Sequence, residues 1–172
     1  MSTEAFLISL PTSQAQRIHK DVSVVRNLVT EMAQDSERRL SLDEAWAPLH
    51  FTLTGEYPIP RQKAAALGLS WNEYSLENAI MGGDATPFLG AYGPARYLPP
   101  ALVSSLADQL ATIDPVDFRS RVDPQALIQE RMLPDGWGLE TAPDLLHEKF
   151  QRLKAFYSNA KARGEGVLIY FA

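Results

Sequence analysis

The stretch Gly166-Val167-Leu168-Ile169-Tyr170-Phe171 constrains the fold more than any other part of the chain. It is apolar almost throughout and rich in β-branched and aromatic residues, which marks a strand. A strand with one wet face alternates apolar and polar residues. One without that alternation is covered on both faces. A chain of 172 residues is long enough for one domain, read here over residues 1–172, and for a core that needs no disulfide or metal.

Two further segments can join that strand. Ala5-Phe6-Leu7-Ile8-Ser9-Leu10 ends at Pro11, and Leu89 to Leu98 is broken by Gly93-Pro94. The expectation is a small sheet made of the N-terminal, C-terminal and middle strands. Helices account for the rest, giving an α+β, mostly helical fold.

Local signals place those helices. Asp21 can cap a helix from Val22 to about Ala33. Ser41-Leu42-Asp43-Glu44 has capping-box spacing, which predicts a helix running through Trp46, Leu49 and Leu53 to Gly55. Pro48 would lie inside it, at a cost of about 3 kcal/mol or a kink. Shorter helices are expected at Arg61–Leu67 and Ser75–Met81, each stopped by glycine. Pro100, Asp114-Pro115 and Asp123-Pro124 each read as helix starts. The longest helix, Pro143 to Arg163, carries Leu146, Phe150, Leu153, Tyr157 and Ala160 on one face and ends at Gly164.

Composition narrows the chemistry. No cysteine is present, so thiol catalysis and thiolate metal sites are out. The net charge of −5 is a poor footprint for nucleic acid. No apolar run is long enough to span a bilayer, Met1 to Leu10 has no basic leader region, and a cytoplasmic location is expected. Phosphate-loop, nucleophile-elbow and H-E-x-x-H patterns are missing, and no cofactor is expected. Gly164-Glu165-Gly166 runs into a strand instead of a helix, so it is not a dinucleotide turn. Asp144 and His147 are one helical turn apart, but spacing alone favours a solvated face over a metal site.

Two segments could carry a site. In Asp43-Glu44-Ala45-Trp46-Ala47-Pro48-Leu49-His50, Trp46 and His50 share a helix face. His50 could then carry protons beside an aromatic wall, with a pKa near working pH, or simply sit at the core boundary. In the second segment, Gly82-Gly83-Asp84 precedes Tyr92-Gly93-Pro94-Ala95-Arg96-Tyr97. Gly93 should be extended because Pro94 follows it. Arg96 between Tyr92 and Tyr97 could clamp a carboxylate or phosphate. Alternatively it pairs with an acid such as Asp84 and holds the loop to the sheet.

Leu42-Asp43-Glu44-Ala45-Trp46, Leu49-His50-Phe51-Thr52-Leu53-Thr54-Gly55, Asn78-Ala79-Ile80-Met81-Gly82-Gly83 and Tyr92-Gly93-Pro94-Ala95-Arg96-Tyr97-Leu98 resemble the YfbM-like bacterial family, domain of unknown function 1877. The likeness extends through Val122-Asp123-Pro124, Trp137 and the C-terminal strand. It implies a compact α+β bacterial cytoplasmic protein and supplies no reaction. Asp43, Trp46, His50, Gly83, Tyr92, Gly93, Arg96 and Tyr97 fall on the matching motifs.

Three functional readings remain open. Acidic charge, small size and the missing catalytic patterns suit a non-catalytic module that docks on a protein partner, as toxin-neutralising immunity proteins do. A small-molecule site could use His50 as acid/base and Arg96 as anion clamp. In the third reading every one of these residues is structural.

Overall fold

The computed structural model describes residues 3–172, so Met1 and Ser2, part of the one-domain reading, lie outside it. The C-terminal strand β5 (Gly166–Phe171) is buried along its whole length at the centre of a five-stranded sheet. On one side it pairs antiparallel with β1 (Ala5–Leu10), Ala5 opposite Phe171 and Leu10 opposite Gly166. On the other it pairs with β4 (Gly93–Leu98). The three expected strands therefore supply the core of the sheet, but the middle one holds only from Gly93, since Leu89 and Gly90 end the preceding strand of a hairpin. The outer positions belong to β2 (Arg39–Asp43) beside β1 and β3 (Asp84–Gly90) beside β4, all neighbours antiparallel.

Alternation along the central strands divides the core in two. Val167, Ile169 and Phe171 join Ala5, Leu7 and Leu98 on one face, whereas Leu168 and Tyr170 join Phe6, Ile8, Ala95 and Tyr97 on the other. The second face is closed by Ile18 and helix α2 (Val22–Met32), through Val25 and Leu28. Asp21 caps α2, accepting from the Ser23 amide at 2.8 Å. Between β1 and α2 lies α1 (Thr12–Ala15).

The first face carries most of the helical mass: α3 (Trp46–Thr54), α5 (Asn78–Met81), α6 (Pro100–Ala111), α7 (Pro115–Arg121), α8 (Pro124–Gln129) and α9 (Ala142–Ala162). The remaining helix, α4 (Arg61–Ala66), precedes α5 in the chain. Asp114 and Asp123 cap α7 and α8 through their side chains, each with proline at the next position. Leu146, Phe150, Leu153, Tyr157 and Ala160 form the buried stripe of α9, and Gly164 follows at φ +64. This is the α+β, mostly helical architecture expected.

The capping-box reading of Ser41 fails. Ser41 lies within β2, where Leu40 and Leu42 are buried and their neighbours less so, a period of two that outweighs the S-x-x-E spacing. Its hydroxyl accepts from the Asp43 amide and bonds the Asp43 carboxylate at 2.5 Å, so it serves the strand end. Asp43 then turns the chain at φ +48, a conformation aspartate tolerates better than most residues. Because α3 begins only at Trp46, Pro48 is its third residue. Its missing N–H falls among the first-turn amides that have no intrahelical partner, so the expected penalty disappears. The helix expected at Ser75–Met81 is likewise reduced to its last four residues.

Candidate functional site

The β3–β4 hairpin and the start of α3 pack on Phe171, and Arg96 ties the hairpin to the C-terminal end of α5. The two-residue link Ala91-Tyr92 joins Gly90 to its register partner Gly93. Gly93 takes φ +96, a region that favours glycine, and not the extended backbone expected before Pro94. Alternation then turns Ala95 and Tyr97 to the α2 face and leaves Arg96 on the helix-rich face.

Arg96 is 1% exposed. Its Nη1 donates to the Met81 carbonyl and its Nη2 to that of Ile80 at 3.1 Å. Tyr157 donates its hydroxyl to the Ala79 carbonyl at 2.7 Å. Three consecutive carbonyls at the end of α5, groups a helix terminus leaves unpaired, are thus satisfied by β4 and α9. The guanidinium also lies 5.4 Å from the Phe171 ring centroid. Asp84, the acid offered as a partner in the structural alternative, pairs with Arg61 at 3.0 Å, and among the described residues Arg96 has no ion-pair partner. Burial lowers its pKa to about 10, although the nearby Tyr157 and Tyr92 phenols favour the charged form. It stays a cation at neutral pH.

His50, on α3, is 2% exposed, and its Nδ1 is buried without a hydrogen-bond partner. Desolvation, reinforced by the charge of Arg96, lowers its pKa to about 4. At neutral pH it is a neutral imidazole, not the group poised near working pH that a proton carrier requires. Trp46 packs on Tyr92 at 5.3 Å and on Phe171 at 5.0 Å between ring centroids, with Tyr92 and Phe171 5.6 Å apart.

Trp46, Tyr92 and Arg96 are therefore brought together on Phe171, His50 is near enough to Arg96 to feel its charge, and Gly83 lies against the backbone of β4. Gly83 has φ +97, and a Cβ there would come within 2.9 Å of the Tyr97 carbonyl oxygen, so glycine allows the close approach to β4. Tyr97 and Asp43 lie elsewhere. Tyr97 points to the α2 face, edge-on to His19 at 5.9 Å. Asp43 is bound by Lys149 of α9, whose ammonium holds its carboxyl below the usual aspartate range.

Arg96 lines a cleft of about 360 Å³, together with Pro60, Gln62, Lys63 and the turn at residues 91–94. Gln62 donates Nε2 to the Gly83 carbonyl at 2.9 Å, while its Oε1 is buried and unpartnered. Gln62 and Lys63 were missed from sequence because they sit on a plain amphipathic turn, far along the chain from the glycine motifs. Glu165 was missed as well. Buried, it receives Ser9 Oγ at 2.5 Å, Arg38 Nη2 at 3.0 Å and Arg163 Nε at 3.2 Å. Burial alone would raise its pKa, but these three donors together hold it below the usual glutamate value. Asp144 is engaged by Arg119 at 2.7 Å.

Comparison with known proteins places this geometry in a family. The sequence profile described as "Domain of unknown function (DUF1877)" matches residues 1–170. The chain belongs to that family. A crystal structure titled as a protein of unknown function, YfbM from Escherichia coli, shares the fold with a TM-score of 0.68 at 17% identity, covering 98% of this chain and 99% of that one. At that identity the likeness speaks for the fold alone. No curated protein matches the chain. Among the described residues, no helix is long and apolar enough to cross a membrane.

Proposed function

We propose that this DUF1877 protein is a non-catalytic receptor for a small anionic molecule, held in the cleft that Arg96 lines. The observation that carries this reading is a buried guanidinium with no counter-charge. Burying an unpaired ion costs several kcal/mol, and two carbonyl acceptors offset only part of it. Two of the five guanidinium N–H groups serve α5, and among the described residues the other three have no acceptor. Lys63 at the rim adds a second positive charge, and Tyr92, Pro60 and Pro94 supply flat apolar walls. With its pKa lowered to about 4, the buried imidazole of His50 is a weak proton acceptor near pH 7, which favours binding over acid–base chemistry.

Inorganic phosphate is the simplest probe. It should raise the melting temperature saturably in wild type, and Lys63→Ala should weaken that response about tenfold in concentration, as loss of one charge-assisted contact does. A response equal in wild type and variant, or none at all, contradicts the proposal. Docking on a basic protein partner is the second reading; it draws on the net charge of −5, and recovery of a stoichiometric basic partner would support it. A cytoplasmic location accompanies either reading.

A further inference from the structure

A second cleft, of about 370 Å³, shares the Tyr92 wall with the Arg96 cleft. The same short segment borders both, contributing Tyr57 and Pro58 to one and Pro60 to the other. Their characters differ. The Arg96 cleft is cationic. The second is walled by the Trp46, Tyr57 and Tyr92 rings and holds Glu44 and Asp135, neither of them in an ion pair among the described residues, with Arg131 as its one cation. Tyr57 is 55% exposed, so much of its aromatic ring stands in water.

We infer that the two clefts hold one ligand, with its anionic group on Arg96 and Lys63 and a planar, donor-bearing ring across Tyr92 against Tyr57. This rests on the anion-receptor reading and names the ligand class. A ring stacked on tyrosine gains from any π-face. Two carboxylates beside the stacking surface reward N–H donors on the ring edge and repel a second anionic group. Gln62 Oε1, buried without a donor at the cationic end, accepts a hydroxyl from the linker between ring and anion. A phosphate, a sugar hydroxyl and an amine-bearing base follow one another in that order in a nucleoside monophosphate, which is the ligand class these two clefts fit.

Calorimetric titration of the full chain with inorganic phosphate, adenosine and AMP tests it. AMP should bind roughly tenfold more tightly than phosphate, the gain expected of one stacked base. Tyr57→Ala, at an exposed position, should abolish that gain and leave phosphate affinity unchanged. Lys63→Ala should weaken phosphate and AMP alike. If phosphate binds and AMP binds no better, or if the AMP gain survives in Tyr57→Ala, the shared-ligand inference is overturned and the anion site stands. Adenosine binding as tightly as AMP also overturns it. Failure of both phosphate and AMP to bind removes the anion-receptor reading with it.

Discussion

His50 and Arg96 are buried, basic and adjacent, and each is explained by what surrounds it. Arg96 closes the end of α5, which is why a short helix can stop against the sheet without stranded carbonyls. His50 stays neutral because water is excluded and a cation is nearby. That has a measurable consequence. With a folded pKa of about 4 against an ordinary 6.5, the unfolded chain binds the proton more readily than the native one between those values. The stability His50 contributes is therefore complete above pH 6.5 and is lost as pH falls toward 4, on the order of 3 kcal/mol in all. Asp43 and Glu165 have lowered pKa values and act below the ordinary carboxylate range, while Glu77, raised by burial, gains stability as pH falls and opposes the His50 slope. Urea unfolding between pH 7 and 4.5 should show the slope in wild type and its loss in His50→Asn. A wild-type profile no steeper than that of His50→Asn would contradict the burial argument.

At the scale of elements, capping and periodicity disagree at one place, Ser41, and periodicity prevails. Asp21, Asp114 and Asp123 were legible as caps because each combines a short acceptor with a chain that must bend there. Ser41 has the same local pattern, but Leu40 and Leu42 bury against the helix-rich core, and that burial outweighs a cap worth about 1 kcal/mol. β3 was partly hidden for a related reason: Pro87 and an irregular register interrupt it, so it lacks the even alternation of a regular strand. The revised start of α3 makes a sharp prediction. Pro48→Ala should change stability by less than about 1 kcal/mol, whereas proline in a helix interior costs about 3 kcal/mol. Stabilisation of that larger size would mean that α3 begins before Trp46.

The whole molecule is an antiparallel sheet with unequal helical layers, and that inequality positions the cleft. The apolar C-terminal strand announced its own double burial, so the centre of the fold was readable. Which motifs would meet was not. Trp46 and His50 on α3 reach Tyr92 and Arg96 only because both segments pack on Phe171 from one side of the sheet. Tyr97, one residue beyond Arg96, is sent to the opposite face by the same alternation. Gln62 and Lys63 carry no sequence signal of a site; α4 alone places them there.

The most direct test of the central claim watches the Arg96 guanidinium itself. In protein labelled with ¹⁵N at arginine, the Arg96 Nε–H resonance, assigned by its absence from Arg96→Lys, can be followed as inorganic phosphate is added. Saturable movement of that resonance, reduced in Lys63→Ala, is the predicted result. A resonance that stays fixed through millimolar phosphate while exposed arginines shift would show that Arg96 serves α5 alone and that the cleft is not an anion site.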